Sequence, residues 1–179
     1  MESEKLSLLL QELDGMPRQL KLLVQRFCES KLSWKPSDWT GMPSESFSAI
    51  EQTCHLRDIE IDGYQERFRK TVNENEPVLH SIDGYRLAEE RQYQLQDSEV
   101  VLEQFSKARQ QTVELIRGFS VYDLDRKCVF ENAGEITLTS LIYFLISHDQ
   151  QHLSGLNWLL AKIEAQNRTE NNRVSAKKY

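Results

Sequence analysis

Turn-forming residues are scarce in this chain, which has only 7 glycines and 4 prolines among its 179 residues. An all-β sandwich or barrel needs a turn signal every few residues, so that count favours long helices. Cysteines number only 3, an odd count with no CxxC pair. That excludes a disulfide framework and makes a reducing, cytoplasmic setting the expectation. No run reaches about 18 consecutive apolar residues, so no membrane-spanning helix is expected. The first ten residues lack the layout of a signal peptide. Basic residues are outnumbered, 22 against 28. Residues 166–179 hold four basic side chains and one acid, so against a net charge of −6 the remainder carries −9. An acidic body lacks the basic footprint of a nucleic-acid binder. Gly-rich phosphate loops, nucleophile elbows and kinase signatures are all missing.

What is present is helical periodicity. Apolar residues recur at a spacing near 3.6 in four stretches, which predicts helices over about 4–30, 44–73, 97–118 and 137–165. Pro17 should break or kink the first near Gly15 and Met16. Ser44 is the expected cap of the second. Residues 74–96 form a connection too long for a tight hairpin, of the kind that crosses a bundle. Residues 127–130 and 135–137 flank Asn132-Ala133-Gly134 and read as a short hairpin. The fourth helix is apolar most of the way round, which places it in the middle of the fold. The fold class is therefore all-α, a four-helix bundle with long crossover connections. It is expected to fill residues 1–165, with 166–179 as a flexible polar tail.

Three of the four histidines lie on apolar helix faces. His148 and His152 are four apart and project from one face of the fourth helix. His55 lies mid-way along the second helix. Buried imidazoles need partners for their nitrogens, and two protonated rings side by side would repel. A shared divalent metal resolves both problems, since neutral imidazole is a good ligand. Nitrogen ligands of this kind select zinc or nickel over magnesium or calcium. Three histidines would leave positions open for solvent or a small-molecule substrate. Glu51, Asp58 and Asp149 are candidate acceptors for the far ring N–H groups. The competing reading is ordinary: interfacial histidines capped by carboxylates, or a metal that only pins two helices together. His80, in the polar crossover, should be exposed. Cys54, Cys28 and Cys128 read as packing residues.

These residues resemble the DinB-like helical bundles of the YfiT/DinB superfamily. The resemblance rests on Trp39-x7-Phe47-x7-His55-Leu56-x-Asp58 and on His148-Asp149-Gln150-Gln151-His152-Leu153. The connector with Trp34, Pro36 and Trp39 carries it too, as does Gly134-Glu135-Ile136-Thr137-Leu138. It covers about residues 6–163. The resemblance implies an up-down-down-up bundle, often a homodimer. It implies a divalent metal on His55, His148 and His152, commonly zinc or nickel. For function it implies transfer or isomerisation with a low-molecular-weight thiol, or metal-dependent hydrolysis. The alternative is a non-catalytic dimeric bundle with a structural metal or a ligand-binding, stress-response role.

Overall fold

A computed structural model describes residues 2–131 and 133–176, with side chains placed for 4–131 and 133–169. Helix α1 spans Glu2–Val24. A turn-rich connector leads to α2, Ala49–Asp58, which passes through a π-helical segment, Ile59–Tyr64, into α3, Gln65–Asn73. The crossover then holds strand β1, Val78–Leu79, and helix α4, Gly84–Glu90. Helix α5 is Ser98–Arg117 and the single turn α6 is Val121–Leu124. Strands β2, Lys127–Phe130, and β3, Gly134–Thr137, lead directly into α7, Leu138–Ala176.

Two apolar clusters fix the helix directions. One joins Leu9 and Leu13 of early α1 to Phe68 of α3, Ile116 of late α5 and Leu141 of early α7. The other joins Leu20 and Leu23 of late α1 to Leu56 of α2, Leu102 and Phe105 of early α5, and Leu156 and Leu159 further along α7. The bundle is thus up-down-down-up: α1 and α7 run one way, the α2–α3 rod and α5 the other. Two consecutive rods can run parallel only because residues 74–96 carry the chain back along the bundle. Burying large apolar side chains such as Phe68 and Phe105, each wholly enclosed, contributes about 1.5–3 kcal/mol apiece.

The structure moves several boundaries. Helix α1 continues through Pro17 and stops at Val24, short of residue 30. Proline at 17 leaves the Leu13 carbonyl without its helical donor. The buried Arg109 side chain supplies one instead, Nη1 to Leu13 O at 3.4 Å, so the helix needs no break there. The second rod begins at Ala49 and not at 44. Its cap is Ser48, whose backbone N–H donates to Glu51 Oε2 at 2.8 Å, the carboxylate half of a capping box. Residues 44–48 are consequently loop, which matters for the site. The last helix extends to Ala176, past its expected end at 165 and into the segment expected to be a flexible polar tail; residues 177–179 lie outside the described residues. The expected hairpin forms in the register Cys128↔Ile136 and Val129↔Glu135. Strand β1 adds to it in parallel, pairing Val78 with Val129, a contact that local sequence does not announce. No described helix is long and apolar enough to cross a membrane.

Candidate metal centre

The α2 helix is buried along its whole length between α5 and α7. His55 therefore has nowhere to point but inward, and its ring is 3% exposed. On α7, His148 and His152 sit one turn apart on the face toward α2. His55 Nε2 lies 3.3 Å from His148 Nε2, and His148 Nε2 lies 3.2 Å from His152 Nε2. The ligand atoms of the three rings all fall within 4.8 Å of one another. His152 is fully enclosed, and His148 is the partly exposed member through which the cluster meets the surface.

The ring nitrogens cannot all satisfy one another. His148 Nε2 faces both neighbours, and one nitrogen carries either one proton or one lone pair in a neutral ring. The tautomer of His152 follows from Gln52. The Gln52 amide nitrogen donates to Ser44 Oγ at 2.9 Å and to the carbonyls of Glu45 at 3.1 Å and Phe47 at 3.3 Å. Those bonds turn the amide oxygen toward His152, where it accepts from the Nδ1–H. His152 Nε2 is then left with its lone pair aimed at the cluster, as a metal ligand requires.

A carboxylate closes the remaining side. Glu45, in the loop ahead of α2, places Oε2 3.4 Å from His152 Nε2 and Oε1 3.8 Å from His55 Nε2. Its Oε2 is buried without a hydrogen-bond partner, as is His55 Nδ1. Two glycines make room for this arrangement. A β-carbon on Gly155, one turn beyond His152, would run into Ser44 Oγ, with Met42 Cε at 3.0 Å. The loop thus lies directly on the α7 backbone, and the stacked pair Trp39–Trp158, 6.0 Å between centroids, anchors its earlier part. A β-carbon on Gly84 would come within 2.7 Å of His55 Cε1, so α4 packs its own backbone against the ring. Phe47 and Tyr64 form further walls, 5.4 Å from His55 and 5.9 Å from His148 between ring centroids. Tyr85 of α4 accepts from the Ser46 N–H at 3.0 Å and holds the loop from outside.

Burial sets the protonation of the cluster. Desolvation holds His148 and His152 well below the ordinary histidine pKa, and repulsion from neighbouring rings adds to it. His55 is lowered as well, again by burial, against the pull of Glu45 and Asp58. All three are neutral donors at neutral pH. Burial also pushes the Cys54 thiol up to about 12, so the cysteine beside His55 is an inert packing group.

The three carboxylates considered as acceptors for the far ring nitrogens bond elsewhere. Glu51 caps its own helix and pairs with Lys35 at 2.9 Å. Asp58 accepts from Arg57 at 2.7 Å and Tyr93 at 2.7 Å, and pairs with Arg91 at 3.0 Å. Asp149 is engaged by Arg109 through Nη1 at 2.6 Å and Nη2 at 3.0 Å, while the same guanidinium holds Glu60 at 2.8 and 2.7 Å. Burial raises Asp149 to about 6, against the opposing pull of Arg109. His80 is 75% exposed beside Glu131. The sequence reading missed Gln52 and Glu45. Gln52 had a signal, since it stands three residues before His55 on the same helix face. Glu45 had none, because no periodicity governs a loop.

A sequence-family comparison settles the relationship. The model of the DinB superfamily matches residues 12–155, most of the chain and all three histidines. The chain belongs to the DinB superfamily. Among solved structures it is similar to YfiT from Bacillus subtilis, described as a probable metal-dependent hydrolase with an unusual four-helix bundle topology. The two share 18% identity and superpose with a TM-score of 0.79, over 92% of this chain and 90% of that one. A search of curated proteins finds no significant match.

Proposed function

We propose that the chain is a metal-dependent enzyme acting on a small molecule, of the hydrolase or thiol-transferase type, with His55, His148 and His152 as ligands. The convergence of three neutral ring nitrogens on one point carries this reading. The donor set fits a divalent ion: three ring nitrogens that cannot all pair with one another, one lone pair fixed by Gln52, and a carboxylate oxygen buried without a hydrogen bond beside them. An ion of this kind supplies a Lewis acid and lowers the pKa of a bound water or thiol. The chain's own residues supply the rest. Gln52 holds the His152 tautomer. Phe47 and Tyr64 exclude bulk water from two sides. The Arg109 bridge between Glu60 and Asp149 fixes the register of α7 against the α2–α3 rod, next to His148. Nitrogen donors favour zinc or nickel. The similarity to YfiT supports hydrolysis; thiol chemistry is what the family resemblance adds, and a homodimer belongs to the same reading.

The test is elemental analysis of the purified protein and of His148→Ala at neutral pH. It is followed by assay of the metal-loaded protein against esters, amides and electrophiles paired with small thiols. About one ion per chain, lost in the variant, with turnover of one of these classes, supports the proposal. Metal content unchanged in the variant would remove its basis. Tight metal without turnover would point to the non-catalytic bundle.

A further inference from the structure

The carboxylate of Glu45 has no counter-ion suited to it. Among the described residues the only basic side chains within 4 Å of it are the neutral rings of His55 and His152, with no lysine or arginine paired to it. It sits on a half-buried loop, yet turns Oε2 inward to a place where no hydrogen bond meets it. Three features keep it there. Gln52 bonds the Glu45 carbonyl, Tyr85 accepts from the Ser46 N–H, and Gly155 lets the loop lie against α7. A chain that only needed to cover the histidines would place an apolar side chain at this position, as it does with Phe47. An anion aimed at neutral imidazoles is uncompensated and costly unless a cation joins them.

We infer that Glu45 is a fourth protein ligand of the ion, delivered by the loop ahead of α2 to the side of the cluster that the three histidines leave open. This rests on the metal-centre reading above. It changes the character of the site. Three neutral imidazoles leave a divalent ion at +2, whereas a carboxylate reduces the site to +1 and occupies one position. An ion that takes five or six ligands keeps room for solvent or substrate, and a tetrahedral one keeps room only when the carboxylate leaves.

The experiment uses the full chain, stripped of metal and titrated with zinc, nickel and cobalt(II), for wild type, Glu45→Gln and Glu45→Ala. Glutamine keeps the size and removes the charge; alanine removes the ligand. Affinity should fall by about 10- to 100-fold in both variants. The visible bands of the cobalt form should shift in position and intensity as the ligand set changes, while the melting point of the metal-free protein does not fall and rises where the uncompensated anion is removed. Equal affinity and an unchanged cobalt spectrum in Glu45→Ala, with the wild type binding one ion, would overturn the role of Glu45 and leave the three-histidine site standing. A wild type that takes up none of the three metals would overturn both.

Discussion

Gln52 and His152 are joined amide oxygen to imidazole Nδ1 across the α2–α7 interface, and that one contact decides which nitrogen of His152 faces the cluster. An amide does here what a carboxylate was expected to do. It binds the N–H as well, and adds no charge to a site already holding Glu45.

Gln52→Leu should therefore weaken metal binding by about 10- to 100-fold, the usual consequence of removing a group that orients a ligand. It should also destabilise the metal-free protein by about 1–3 kcal/mol, since the buried Nδ1–H loses its acceptor. Gln52→Glu keeps an acceptor in place and should bind metal better than Gln52→Leu. Metal titrations and thermal melts on the two variants check this; equal affinities in both would show that Gln52 does not set the tautomer.

Gly84 is a second control point. Its added methyl would meet His55 Cε1 at 2.7 Å and Nδ1 at 2.9 Å, a contact neither the ring nor α4 can easily relieve. Gly84→Ala should cost about 1–3 kcal/mol by overpacking and should displace His55 enough to reduce metal affinity. Gly118→Ala is the matched comparison, because its nearest neighbour would be Leu115 O at 3.4 Å, and its midpoint should stay near wild type. Equal midpoints for the two variants would show that the α4 contact is looser than it looks.

The bundle was legible because its signals are periodic. Phe105, Ile116, Leu141, Leu145 and Leu156 repeat at helical spacing, and all of them are buried. The i, i+4 spacing of His148 and His152 survives any small error in helix boundaries, so the heart of the site was legible too. What escaped depends on partners distant in sequence. Pro17 is tolerated only because Arg109, far along the chain, takes the Leu13 carbonyl. The π-helical turn at Ile59–Tyr64 shifts the face of the rod by a residue and brings Glu60 to Arg109 and Tyr64 to His148. Nothing in the residues Ile59-Glu60-Ile61-Asp62-Gly63-Tyr64 requires it locally. Proximity in sequence makes Asp149 a candidate acceptor for a histidine N–H, but a buried arginine competes more strongly for a carboxylate than a neutral ring does.

That arginine is itself a test of the packing. Arg109 is 1% exposed and bridges Glu60, 1% exposed, and Asp149. Arg109→Met should destabilise the protein by about 3–5 kcal/mol, because two buried carboxylates lose their shared cation. Arg109→Lys should recover little, since a single ammonium cannot fork to both acids and to the Leu13 carbonyl. Denaturant melts decide it. A loss below about 1 kcal/mol in Arg109→Met would mean the carboxylates find other partners, and the bridge would not be what fixes α7.

Acid should act on the histidine cluster with a definite sign. In the folded chain burial holds His55, His148 and His152 below the ordinary value, while the unfolded chain titrates them near about 6.5. Below that pH the unfolded state takes up protons that the folded state refuses, so stability falls as pH falls. The contribution is whole above about pH 6.5 and is lost progressively beneath it. Asp149, raised to about 6, works in the opposite sense, because the folded state then binds a proton more readily than the unfolded one. Three imidazoles outweigh one carboxylate between about pH 7 and 6. The metal-free midpoint should therefore drop across that interval, and His148→Gln should drop less. Added zinc at about 100 times its Kd should raise the midpoint at neutral pH by the equivalent of about 2.7 kcal/mol, and that gain should vanish on acidification as protons displace the ion. Melts in chelator and in zinc, from about pH 8 down to 5.5, report both effects. A metal-free midpoint that stays level or rises as the pH is lowered from 7 to 6 would mean the rings accept protons in place, and the cluster would then be an ordinary ion-paired histidine group.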